Sequence, residues 1–186
     1  PFAVREAYNT MRNNMMFSLS TGKNNVFVVS SPLPGEGKST SVANLCIAIG
    51  ETASKVLLVD ADLRKPVQHK MFELTNKQGL STVLAGMCNL EKAVHKRVYN
   101  NLDVLTAGPV PPNPSQILAS ENMVEFINSV KDNYDFVVID TSPINIVSDA
   151  PVIAKNTAGL ILVTRQDATT YDQVEKAMGS VNMLDV

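Results

Sequence analysis

One stretch constrains this chain more than any other: Val26-Phe27-Val28-Val29, followed by Ser30-Ser31-Pro32-Leu33-Pro34-Gly35-Glu36-Gly37-Lys38-Ser39-Thr40. The short apolar run, rich in β-branched residues, predicts a buried strand. The residues after the turn predict a helix over 38–52, with Val42, Leu45, Cys46 and Ile49 on its core side. A glycine-bearing turn between a strand and a helix is the context that a phosphate-binding loop requires. Gly35 and Gly37 allow backbone N–H groups to turn inward. The helix N-terminus adds free donors and a favourable dipole. Lys38 suits terminal phosphates, and the Ser39 hydroxyl suits Mg²⁺. The general pattern opens with a Gly where Pro32 stands, so its first half is altered and its second half is intact. A solvated Lys in a glycine-rich turn is the plain alternative, and the flanking strand and helix argue against it.

The same alternation continues along the chain. Apolar runs at 56–59, 102–105, 136–139 and 160–163 predict further strands. Helical patterns fall at 79–85, 121–131 and 171–184, with Ser120 as a cap for the middle one. A first helix over 4–19 carries the stripe Tyr8, Met11, Met15 and Leu19, and Thr21-Gly22-Lys23-Asn24-Asn25 breaks it. Continuous apolar strands separated by helices indicate an α/β fold whose sheet is covered on both faces. With 186 residues, the chain has the length of one domain. Apolar residues at 45% exclude wholesale disorder.

Charge and cysteines narrow the function classes. With 16 Lys+Arg against 18 Asp+Glu, the net charge of −2 argues against a dedicated nucleic-acid binder. Cys46 and Cys88 lie far apart, and neither His69 nor His95 completes a metal-binding spacing, so a reducing, cytosolic setting is expected. No apolar run is long enough to span a bilayer, and the start lacks a signal-peptide pattern. The first residue is Pro1, which points to a piece of a longer or processed chain.

Two carboxylate-bearing segments follow strands. Asp60-Ala61-Asp62-Leu63-Arg64 ends the second one. An extended backbone would point Asp60 and Asp62 to the same side. Ligands of parallel α/β sheets lie beyond the strand C-termini, where such a pair can hold hydrated Mg²⁺ and accept a hydroxyl proton. Asp140 ends the 136–139 run, a place suited to organising Mg²⁺ and its water. Thr141-Ser142-Pro143 then begins a loop placed to sense a terminal phosphate. Aspartates also end strands simply as turn formers. Their company with Lys38 and Ser39 favours Mg-nucleotide chemistry. A dinucleotide fold is excluded, since no G-x-G-x-x-G follows the first strand. Met11, Met15 and Met16 read as packing residues, Cys46 as core, and His69 and His95 as surface. Tyr8, Tyr99, Tyr134 and Tyr171 form no cluster in sequence.

On these motifs the sequence resembles the bacterial tyrosine kinases, P-loop autokinases that regulate capsule and exopolysaccharide assembly. Residues 30–40 look like the family's Walker A variant. Val56-Leu57-Leu58-Val59-Asp60-Ala61-Asp62-Leu63-Arg64-Lys65-Pro66 looks like its Walker A′ motif, and Val137-Val138-Ile139-Asp140-Thr141-Ser142-Pro143 like Walker B. The resemblance implies a single P-loop kinase domain over 1–186. The fold class it implies is α/β, a P-loop NTPase-type, predominantly parallel sheet with helices on both faces. ATP and Mg²⁺ would be bound by Pro34, Gly35, Glu36, Gly37, Lys38, Ser39 and Thr40. Lys38 would balance phosphate charge, Ser39 would ligate Mg²⁺, and Asp62 and Asp140 would hold its water shell. Asp60 would lie nearest the incoming tyrosine hydroxyl, as base.

The implied partners are copies of the same chain, joined in a ring through an N-terminal helix at 1–20, and the tyrosine-rich tail of a neighbouring subunit. A membrane adaptor or fused transmembrane activator would hold the domain at the cytoplasmic face of the plasma membrane. The resemblance has two departures. Glu6 and Arg12 match the family's helix motif, but Asn9 stands where a second Arg is usual. The sequence ends at Val186, before any closing strand or tyrosine cluster, so a catalytic core without its tail is expected. A MinD/ParA-like ATPase switch is the nearest rival. That class carries a second loop lysine where Leu33 stands here. A nucleotide-stabilised scaffold is the third reading.

Overall fold

The computed structural model describes residues 2–19, 24–52 and 54–183, with backbone only for Ser18 and Leu19. The expectations for the Leu19 side chain, the turn at Thr21-Gly22-Lys23 and the residues after Met183 lie outside it. Five strands match the expected runs closely: β1 (Val26–Ser30), β2 (Val56–Asp60), β4 (Leu102–Leu105), β5 (Phe136–Asp140) and β6 (Gly159–Leu162). They pair in parallel. A further strand, β3 (Val94–Tyr99), pairs antiparallel with β4 and completes a six-stranded sheet of order β3-β4-β2-β5-β1-β6.

The pleat explains the apolar runs. Val26 and Val28 of β1 belong to one buried cluster, and Phe27 and Val29 to another on the opposite face. A strand covered on both sides favours apolar residues throughout, and a polar one there needs partners, as Asp103 in β4 has. One face is covered by α1 (Phe2–Leu19) and α2 (Lys38–Gly50). On α2 the expected Val42, Leu45, Cys46 and Ile49 are all buried. On α1, Met15 is buried, Tyr8 and Met11 pack partly against the same cluster, and Met16 faces solvent. Arg12 fastens α1 by donating to the Ala48 carbonyl at 3.1 Å.

The other face is covered by α4 (Leu80–Leu84), α7 (Glu121–Lys131) and α8 (Asp149–Ala154). Four short elements were not expected: α3 (Gln68–Met71), α5 (Leu90–Ala93), α6 (Pro114–Leu118) and α8 itself. The last helix, α9 (Tyr171–Asn182), packs Ala177 and Val181 on Ile144, Leu160 and Leu162. Thr170 caps it, receiving the Gln173 backbone N–H. Ser120 occupies the cap position of α7 but does not cap it. Its hydroxyl donates instead to the Ile117 carbonyl at 2.7 Å, satisfying the end of the abutting α6.

β3 is the main departure from the expected strands. Its alternation is disguised by His95, Lys96 and Arg97, which read as surface. His95 is half-buried, with Nε2 3.1 Å from the Thr75 carbonyl. The strand turns back to β4 through Asn100 at φ 38°, and Arg97 at φ 50° lies within an irregularity in the pairing. Tyr8 and Tyr99, distant in sequence, line one depression of about 320 Å³ between α1, α2 and this turn.

Candidate functional site

The loop between β1 and α2 passes through Gly35 at φ 82° and Gly37 at φ 87°, a left-handed backbone that side chains disfavour. Nothing lies within 4 Å of where a Cβ would stand on either residue. The loop therefore presents bare backbone to open space. That space is a cavity of about 470 Å³, bordered by every residue from Pro34 to Thr40. Asp62, Arg64 and Lys65 border it from the loop after β2, and Ser142 and Pro143 from the loop after β5. All these loops follow the C-terminal ends of parallel strands, where this architecture binds ligands.

Lys38 is buried at the head of α2. Its Nζ lies 3.0 Å from Asp140 Oδ1, 3.0 Å from Ser39 Oγ and 3.6 Å from Asp62 Oδ2. An ammonium is thus seated among the same three side chains expected to hold Mg²⁺. The donor set consists of hard oxygen ligands, as Mg²⁺ prefers. Two buried carboxylates, Asp62 and Asp140, share one lysine, so the cluster carries excess negative charge. A hydrated divalent cation and the open glycine cradle both fit these residues.

Sheet register fixes the spacing of two of the carboxylates. Asp60 and Asp140 are direct partners across β2 and β5. Burial pushes the Asp60 carboxyl up to about 7, with Asp140 adding to the shift. Burial also raises Asp140, against the opposing pull of Lys38 and of its hydrogen bonds.

Asp60 and Asp62 do not act as an extended pair. The strand ends at Asp60, so the pleat no longer governs Asp62. Asp60 is fully buried and is not among the cavity-lining residues. Its Oδ1 accepts the Asp62 backbone N–H, and its Oδ2 those of Val67 and Gln68. It is the post around which the 61–68 loop folds. Asp62 borders the cavity and accepts from the Ser142 hydroxyl at 2.8 Å, tying the two carboxylate-bearing loops together. Asp140, like Asp60, is fully buried.

Glu36 borders the cavity, but its side chain is used inside the protein. One oxygen accepts the Leu33 N–H at 2.7 Å, and the other the Thr169 hydroxyl. Arg64 donates to Ser115 Oγ at 2.7 Å, and its Nε lies 3.4 Å from the buried Asp149, linking the loop to α6 and α8. The residue that sequence reasoning missed is Gln68. It is fully buried, and its side-chain nitrogen donates to Asp140 Oδ2 at 2.8 Å and to the Ser39 carbonyl at 3.0 Å. No local pattern marks it, since these partners are 72 and 29 residues away.

Comparison with known proteins agrees with this geometry. Residues 25–171 match the family model described as AAA domain. Tyrosine-protein kinase YwqD of Bacillus subtilis is 41% identical over 172 residues, covering 92% of this chain and 73% of the relative. The putative tyrosine-protein kinase CapB of Staphylococcus aureus is 36% identical, covering 95% and 77%. The kinase domain of the Escherichia coli tyrosine kinase ETK superposes with a TM-score of 0.95 at 34% identity, over 98% of this chain and 71% of that one. With the phosphate loop and the strand-end aspartates in one site, and with relatives matching along nearly the whole chain, the protein belongs to the bacterial tyrosine kinase family of P-loop autokinases.

Proposed function

We propose that this domain transfers the γ-phosphoryl group of ATP to tyrosines of a neighbouring subunit, in the regulation of capsular or extracellular polysaccharide synthesis and export. The observation that carries the reading is the seating of Lys38 Nζ among Ser39, Asp62 and Asp140, at the head of a glycine cradle. Backbone N–H groups of residues 35–38 bind phosphate oxygens, and Lys38 leaves its carboxylates to balance charge on the β- and γ-phosphates. Ser39 would ligate Mg²⁺ directly, and Asp62 and Asp140 would hold its waters. When bound, Mg²⁺ neutralises charge on the transferring and leaving oxygens. The bond from the γ-phosphorus to the ADP oxygen breaks, and a bond to the tyrosine oxygen forms. Positioning supplies much of the rate, because the acceptor must lie in line with the leaving oxygen.

We assign Asp60 as the acceptor of the tyrosine proton. A carboxyl pushed up to about 7 suits a base working near neutral pH. Its Oδ2 accepts two backbone N–H groups and its Oδ1 only one, so Oδ1 is the oxygen left to take the proton.

The partners in this reading are further copies of the chain, assembled through α1, and a membrane activator that holds the domain at the cytoplasmic face of the plasma membrane. No helix among the described residues is long and apolar enough to cross a membrane. The test incubates the protein with Mg-ATP, the activator, and a tail-bearing partner inactivated by Lys38→Met. Phosphotyrosine on the partner's tail, mapped by mass spectrometry, is the expected result. Robust ATP hydrolysis with no phosphotyrosine on either protein would replace the kinase reading with an ATPase switch.

A further inference from the structure

Gln68 opens α3 and is fully buried, an unusual place for a glutamine. Its side-chain nitrogen reaches β5 through Asp140 Oδ2 and the start of α2 through the Ser39 carbonyl. Its backbone N–H reaches the end of β2 through Asp60 Oδ2 at 3.0 Å. Its Oε1 is buried and accepts no hydrogen bond among the described residues. The side chain's favourable contacts are therefore those of its nitrogen, and both go to residues of the cation-holding set.

The two oxygens of Asp140 are divided between partners. Oδ1 faces Lys38 Nζ at 3.0 Å, and Oδ2 faces Gln68 Nε2 at 2.8 Å. We infer that Gln68 is a positioning residue for Mg²⁺: it holds Asp140 Oδ2 and thereby presents Oδ1 to the water shell of the cation. The inference rests on the assignment of Mg²⁺ to Ser39, Asp62 and Asp140 above. Without the amide, the carboxylate can rotate and present either oxygen. Groups that orient a metal-holding carboxylate typically carry about tenfold or more in metal affinity. The hydrogen bonds of the Gln68 side chain go to Asp140 and to the Ser39 carbonyl, at the helix end of the phosphate loop. The cation half of Mg-nucleotide binding therefore depends on Gln68 more than the phosphate half does.

The test measures ADP affinity by calorimetry with and without Mg²⁺, for the wild type and for Gln68→Met, which preserves length and removes the amide. We expect the enhancement of affinity by Mg²⁺ to fall about tenfold in the variant. The affinity measured without Mg²⁺ should fall by less than the affinity measured with it. Equal losses in both conditions, or an undiminished enhancement, overturn the role of Gln68. A wild type that shows no enhancement overturns the Mg²⁺ assignment beneath it, so the two failures are distinguishable. If Gln68→Met does not fold, Gln68→Asn decides by the same comparison. It keeps the amide but is one methylene too short to bridge Ser39 and Asp140.

Discussion

Two aspartate–lysine pairs lie at different places in this sheet, with almost the same separation and very different chemistry. Lys38 meets Asp140 at 3.0 Å, and Lys96 meets Asp103 at 3.1 Å. Asp103 is fully provided for. It accepts from Lys96 Nζ, the Tyr134 hydroxyl at 2.8 Å and the Arg97 backbone N–H at 2.8 Å. Although burial opposes ionisation, these bonds hold its carboxyl below the usual value. Asp140 shares its lysine with Asp62 and faces Asp60 across the strands, and its carboxyl is held above the usual value. Contact distance therefore does not distinguish the two pairs. The balance of charge does. Asp103 is compensated and closed, whereas the Lys38 cluster is left short of positive charge and opens on a cavity.

Exchanging the lysines breaks the comparison most sharply. Lys38→Met should weaken ATP binding by about tenfold or more, because a buried charge-assisted contact is lost. Lys96 is half-exposed and remote from the cavity, so Lys96→Met should leave ATP affinity unchanged. Calorimetric titration of both variants checks this, and equal losses would erase the distinction.

The second effect is on stability at the structural pair. Asp103→Asn should cost about 1–3 kcal/mol of unfolding free energy, because buried donors lose an acceptor, with no change in nucleotide affinity. A carboxyl lowered in the folded state stabilises fully above its unfolded value and loses that contribution as pH falls through the folded one. The gap between wild type and variant should therefore narrow below about pH 4, as read by denaturant unfolding.

The third effect has the opposite sign. Asp60 is raised to about 7, so the folded state holds its proton longer than the unfolded chain. Stability from this group is full below the unfolded value of about 3.9 and declines as pH rises toward the folded value. Asp60→Asn removes that decline. In metal-free buffer, the variant's melting temperature relative to wild type should be higher at about pH 8 than at about pH 4. A difference independent of pH would mean that Asp60 is not raised.

The parallel strands were legible because burial on both faces leaves uninterrupted apolar runs such as Val56-Leu57-Leu58-Val59. The phosphate loop was legible because its chemistry is local, with glycines, lysine and hydroxyl adjacent in sequence. β3 was not, since an edge strand half open to solvent can carry His95, Lys96 and Arg97. The separate uses of Asp60 and Asp62 were hidden by an assumption of extended backbone that ends where the strand does. Ser120 stands where a cap belongs, but the end of α6 claims its hydroxyl. Gln68 was hidden most deeply, because its buried contacts go to partners that only the folded sheet brings near.

The antiparallel hairpin of β3 and β4 also bears on self-association. A bare β4 would offer a row of free N–H and C=O groups beside fully buried Leu102, Val104 and Leu105, a template for a foreign strand. β3 covers that row and puts in its place a strand with a pairing irregularity and with Lys96 and Arg97 exposed. An incoming strand would meet twist and positive charge in place of a flat apolar border. The segment that contributes least to the chemistry thus guards this side of the sheet against aggregation.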